Sequence, residues 1–242
     1  MIQMSKNSQK KDGALYYRQT DLWRLVGAGL TLVGLVWFYF GMSMASYYVP
    51  CVITPVGLAL FLIFSFRHVS DNDMEEEKEH RLLDYDVSVT GRNDYSRYVL
   101  RQPSDVETEA YHMGEAAAYF KRGKNSALVS DVYVKTHFFF TIDALAVCSR
   151  TLSMTVPREE EGAAVDSEMI LPYREIVSAQ LCEHQTQVTL TNTKKPATAK
   201  WIELVITGRE GELLRLPVKN DMDMSGLCDE LNRKVQQLQK ES

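Results

Sequence analysis

Between Arg24 and Arg67 the chain carries 42 consecutive residues, Leu25 to Phe66 (66 − 25 + 1), with no Asp, Glu, Lys, Arg or His. A helix rising ~1.5 Å per residue needs about 20 residues to cross the ~30 Å hydrocarbon core of a bilayer, so the run reads as two crossings and a tight turn. The spans fall near 23–43 and 49–67, with the turn in 43–48 just ahead of Pro50. Pro50 is tolerated in the first turn of the second helix, where its missing N–H is no loss, and Pro55 bends that helix near its start. A cleaved signal peptide is the competing reading. The stretch ahead of Leu25 is too long for its basic region, and no small-residue cleavage site follows the first apolar block.

Lys6, Lys10, Lys11, Arg18 and Arg24 precede the first span and Arg67 follows the second, while the turn between them is uncharged. By the bias of cations toward the cytoplasm, both termini are expected there. Trp23, Tyr16 and Tyr17 are expected in the inner aromatic belt. Gly27, Gly34 and Gly41 recur every seven residues on one helix face, which lets a neighbouring backbone approach closely. That face either seats the second helix of the same hairpin or meets a second copy of the chain. A transporter or proton relay keeps an ionisable group inside its spans, so these spans argue against transport by this chain alone.

The net charge of -5 averages two unlike parts. Residues 1–68 hold 6 Lys and Arg against 2 Asp and Glu, and residues 69–242 hold 21 against 30, giving +4 and -9. An acidic C-terminal portion argues against a nucleic-acid partner, which needs a basic stripe to displace counterions from phosphates. Peripheral sensing of anionic lipid is disfavoured for the same reason. Cys51, Cys148, Cys182 and Cys228 are scattered and form no CxxC pair, so reduced thiols are expected.

Four segments follow: a cytoplasmic stretch 1–22, the hairpin 23–68, an acidic, helical connector 69–127, and a folded domain 128–242. In the connector, Ser70 to Arg81 places capping and acidic residues before basic ones, which suits a short helix or a solvated charge run. Val87 and Val89 alternate as in a short strand. Ser104-Asp105-Val106-Glu107 has the form of a capping box, and Val106, Ala110, Met113, Ala117 and Phe120 follow at helical spacing up to Gly123, predicting a helix over 105–122. Beyond Asn125 the period becomes that of strands, with candidates at 132–140, 145–149, 169–173, 176–181, 187–191, 201–207 and 212–217. Met224, Leu227, Leu231, Val235 and Leu238 form the apolar stripe of a final helix capped by Asp221 or Asp223.

The order of these pieces, with the aromatic strand Phe138-Phe139-Phe140-Thr141, then Ile170-Leu171-Pro172-Tyr173-Arg174-Glu175-Ile176-Val177-Ser178, then strands and a closing helix, resembles the bacterial pleckstrin-homology-like domains found beside paired transmembrane helices. The resemblance covers about residues 128–240 and rests on short motifs. It implies an α+β protein in which a two-helix transmembrane hairpin is followed by a cytoplasmic PH-like β-barrel or sandwich of about seven strands, closed by a C-terminal helix. It implies no catalytic residues and no cofactor, but a module that binds a protein partner or a second copy at the membrane. The turn Ile142-Asp143-Ala144 lacks the Lys/Arg cluster with which phosphoinositide-binding relatives hold phosphates, so that specificity is not implied.

Catalytic motifs are missing from the sequence: neither HExxH nor GxSxG occurs. Gly123-Lys124 has Asn125 where a P-loop has Ser or Thr, and Gly27-x-Gly29 has Leu32 where a dinucleotide motif has its third Gly. Cys182 and His184 are two apart on a predicted strand and share a face, so they are the one local pair with the makings of a thiol and base or half a metal site. An enzyme or metal-binding protein using them, with Glu183, is the alternative to a non-enzymatic membrane-anchored interaction module.

Overall fold

The computed structural model describes residues 13–40, 48–90 and 106–241. The chain divides into two compact units. One is Arg18–Ser70, and the other joins the segment up to Tyr17 to Asp71–Ser242.

The first unit is a pair of helices, α2 (Leu22–Phe40) and α3 (Tyr48–Phe66), preceded in the chain by the short α1 (Gly13–Arg18). Each has 19 residues, about 28 Å of helix, and both are long and apolar enough to cross a membrane. Leu25, Leu32, Val36, Phe38, Val52 and Ile63 point outward. Gly27 and Gly34 of α2 and Gly57 of α3 are buried between the two helices. A Cβ at Gly27 would lie 2.6 Å from the Phe61 backbone nitrogen, one at Gly34 would lie 2.2 Å from Thr54 Oγ1, and one at Gly57 would lie 2.6 Å from the Thr31 nitrogen. These glycines therefore seat the two helices of one hairpin on each other. Gly41 and most of the expected turn lie outside the described residues. At the open end, Gln19 pairs with the Val69 backbone, accepting its N–H at 3.0 Å through Oε1 and donating to its carbonyl through Nε2. Asp21 faces His68 at 3.1 Å, and Trp23 stacks on Phe64.

In the second unit, α4 runs over Asp71–Thr90. It is longer than the short helix expected, and Val87 and Val89 lie in its last turns instead of a strand. Met74, Lys78, Arg81, Leu82, Tyr85 and Val89 are buried on one face, and that helical spacing continues straight through the charged run. The segment expected as a helix over 105–122 is extended instead, forming β1 (Val106–Tyr111) and β2 (Phe120–Arg122). Val106, Thr108 and Ala110 satisfy a period of two as well as of four, and pairing with the next long strand decides between them. Ser104 and Asp105 of the supposed capping box lie outside the described residues.

The remaining strands are β3 (Leu128–Ser130), β4 (Val132–Phe140), β5 (Ala144–Ser153), β6 (Ala164–Pro172), β7 (Ile176–Thr189), β8 (Pro196–Gly208) and β9 (Gly211–Val218), followed by α5 (Met222–Glu241). Among the described residues nine strands stand where seven were expected, and 176–181 and most of 187–191 belong to one 14-residue strand, β7. All pairing is antiparallel, in a four-stranded sheet β1-β4-β5-β6, a hairpin β2-β3 and a three-stranded sheet β7-β8-β9. The sheets do not close into a barrel. Beside the seam of β1 and β9, the Lys219 N–H donates to Thr108 Oγ1 at 3.0 Å. The compact unit thus begins well before residue 128.

The main core lies between the two large sheets and α5, and holds Phe138, Leu145, Tyr173, Leu204, Ile206 and Leu231. The two motifs that carry the family resemblance meet here. Thr141 Oγ1 accepts the Ala144 N–H at 3.0 Å and donates to the Ala144 carbonyl, closing the β4–β5 turn, and the Tyr173 hydroxyl donates to the Thr141 carbonyl at 3.1 Å. Asp221 caps α5 by accepting the Met224 N–H at 3.1 Å. Asn232 of α5 behaves like a strand residue toward β7: it accepts the Ala179 N–H at 2.8 Å and donates to the Ala179 carbonyl at 2.9 Å.

α4 covers the other face of the four-stranded sheet. Arg81 donates to the carbonyls of Ser153 and Val156, Asp86 takes Lys135 at 2.8 Å, and Tyr85 packs on His137. Tyr16 and Tyr17, expected in an aromatic belt, are buried in this unit instead. The Tyr17 hydroxyl donates to the Ser130 carbonyl, and the Tyr16 hydroxyl donates to Asp71 Oδ1 at 2.8 Å. A Cβ at Gly13 would lie 1.7 Å from the Met154 carbonyl oxygen, so only glycine allows this approach.

Candidate functional site

Past the point where β9 leaves the sheet, β7 and β8 continue as a two-stranded ribbon, and a cavity of about 630 Å³ opens beside it. Tyr111 of β1, Met113, His184 of β7, Trp201 of β8 and Val218 of β9 line it, with Lys200, Lys219, Glu109 and Glu183 bringing both signs of charge to its walls. The ribbon's other support is a small second core in which Met113, Phe120, Leu190, Ala197 and Ala199 pack with Trp201 partly buried against them.

The cross-strand register places His184 opposite Trp201 and Cys182 opposite Glu203. The imidazole stacks on the indole, with ring centroids 5.3 Å apart and planes at 21°. Glu203 is 6 % exposed and is the electrostatic centre of the group. Its Oε1 accepts the Trp201 indole N–H at 2.9 Å, and its Oε2 accepts Arg215 Nη1 at 2.8 Å. Arg215 in turn holds Glu212 through Nε and Nη2. Burial pushes the Glu203 carboxyl up, but the bonds from Trp201 and Arg215, with the neighbouring His184, outweigh it and hold the group below the ordinary carboxylate range. His184 Nε2 lies 3.1 Å from Glu203 Oε2 but off the line of a hydrogen bond, which leaves this buried nitrogen without a proper partner.

Cys182 and His184 do share a face of β7, in mid-strand. The register sets Cys182 opposite Glu203 and His184 opposite Trp201, and His184, Trp201 and Arg215 form a stacked, hydrogen-bonded cluster around the Glu203 carboxylate. Glu183 points to the opposite face of β7 by strand alternation. Among the described residues no three His, Cys, Asp or Glu side chains gather as a metal-ligand set. Trp201, Glu203 and Arg215 were not singled out from the sequence. The alternation Trp201-Ile202-Glu203 marks two of them as face-mates, but their opposition to Cys182 and His184 depends on a register set by the β7–β8 connection. Comparison with protein-family models, with curated proteins and with solved structures finds no match to this chain.

Proposed function

We propose that the chain is an integral membrane protein of the plasma (inner) membrane, with both termini cytoplasmic, that holds a non-enzymatic, pleckstrin-homology-like interaction and assembly module at the cytoplasmic face. One observation carries this reading: a hairpin of two apolar helices, α2 and α3, uncharged from Leu25 onward, leaves a folded unit after Tyr17 and returns to it at Asp71. An excursion of that kind crosses a bilayer an even number of times, and the cations at its flanks favour the cytoplasm as the starting side. The PH-like assignment is supported by the four-stranded and three-stranded antiparallel sheets packed with a C-terminal helix. A partner protein or a second copy suits the acidic domain better than nucleic acid or anionic lipid does.

The test is purification of the full chain in mild detergent, followed by light scattering and identification of stoichiometric companions. A defined oligomer or a companion protein is the expected result. A lone monomer retrieving nothing overturns the module, and proteolysis of the C-terminal unit from outside intact cells overturns the orientation.

A further inference from the structure

The cavity beside Trp201 has the backbone chemistry of a vacant strand position. In an antiparallel ladder, alternate residues turn their N–H and C=O toward one neighbour and the rest toward the other. The His112 N–H donates to the Val132 carbonyl at 2.9 Å in register with β1 and β4, so the even residues of β1 face β4 and Glu109 and Tyr111 turn theirs outward. The Leu190 N–H donates to the Lys195 carbonyl at 2.9 Å in register with β7 and β8, so the odd residues of β8 face β7 and the even ones face β9. The last of those to find a partner is Ile202, opposite Val218. Lys200 follows, and the registers give its outward-facing main-chain groups, like those of Glu109 and Tyr111, no ladder partner among the described residues. All three residues line the cavity.

We propose that this gap takes a short extended stretch of a partner polypeptide as an added strand in the line vacated by β9, with one apolar side chain set against Trp201 and Met113. The occupant is a main chain because the walls offer main-chain donors and acceptors from both β1 and β8, the arrangement that strand addition uses. The mixed charges of Glu109, Glu183, Lys200 and Lys219 disfavour a polyanion and tolerate a peptide of either sign. The proposal rests on the interaction-module reading and locates its binding surface.

A display library of random linear peptides, panned against the full chain in detergent, supplies the probe, and a selected peptide is then titrated onto three forms of the protein. Glu109→Pro removes an N–H that points into the gap while leaving the β1–β4 ladder intact, since proline is accepted where a strand's N–H faces outward. Glu109→Ala removes the same carboxylate and keeps the N–H. The expected result is an affinity at least about threefold lower for Glu109→Pro than for Glu109→Ala, which share the loss of the carboxylate, with a similar loss when alternate amides of the peptide are N-methylated. Equal binding to the two variants, or no peptide enriched over a Trp201→Ala control, overturns the proposal. If a companion still copurifies with Glu109→Pro in full yield, the interaction module stands and the strand position falls.

Discussion

Alanine at Gly27 and at Gly29 separates packing inside the hairpin from every other property of the two sites. Both glycines lie in α2 two residues apart, and both gain the same helix propensity on substitution, about 0.5–1 kcal/mol. They differ in what the new methyl meets. At Gly29 nothing lies within 4 Å, whereas at Gly27 the Phe61 nitrogen is 2.6 Å away, its Cα 2.9 Å and the Gly57 carbonyl oxygen 3.0 Å. All three are main-chain atoms, so no side chain can rotate to make room. Restoring an ordinary contact of 3.4 Å requires the helices to part by 0.8 Å (3.4 − 2.6). Overpacking on that scale costs about 1–3 kcal/mol, roughly five- to 150-fold in the ratio of packed to unpacked hairpin. The propensity gain cancels when the two variants are compared with each other, which leaves the steric cost alone. Unfolding in detergent micelles, followed by tryptophan emission in a Trp201→Phe background, confines the signal to Trp23 and Trp37 of α2. Gly27→Ala is expected to unfold earlier than Gly29→Ala, with Gly34→Ala between them because its nearest obstacle is the Thr54 hydroxyl. Coincident transitions for Gly27→Ala and Gly29→Ala would refute the reasoning.

Three further outcomes are expected. Because the Glu203 carboxyl titrates lower in the folded chain than in the unfolded one, its stabilisation is present above the unfolded value and disappears as pH falls through the folded value; Glu203→Gln should flatten that part of the acid limb in denaturant midpoints, and an unaltered limb contradicts it. Asn232→Ala strips the Ala179 N–H and carbonyl of their partners and should cost about 1–3 kcal/mol in chemical denaturation, against little change for the exposed Gln237→Ala in the same helix. Burial, with Asp229 adding to it, pushes the Cys228 thiol up to about 11, so at pH 8 alkylation mapped by mass spectrometry should reach Cys182 well before Cys228; equal rates in the folded chain would count against the packing of α5.

The hairpin was legible because hydrocarbon admits so few alternatives to a long uncharged run. β4 and β5 were legible as runs of β-branched, aromatic and aliphatic residues buried on both faces, and α5 because its apolar stripe keeps a single helical period. Val106 to Phe120 was misread since its apolar residues fit a helical spacing and, over β1, an alternating one as well. Only the ladder to β4, formed with residues about 25 positions later, distinguishes them. α4 was cut short because acidic residues hid the stripe that runs from Met74 to Val89. Cys182 and His184 were recognisable as face-mates, but their true neighbours belong to another strand. Arg215 and Asn232 are the same kind of omission, since nothing local marks a side chain that completes a distant strand or carboxylate.

The docking of Tyr17 has a consequence for how the chain is made. Its acceptor at Ser130 is 113 residues further along, and Gly13 must fit beneath Met154, later still. While the apolar stretch after Arg24 is being synthesised, Gly13 and Tyr17 have nothing to dock on. The segment around Gly13 and Tyr17 therefore docks late, and a tag or fusion placed close ahead of Gly13 is expected to interfere with that last step of folding.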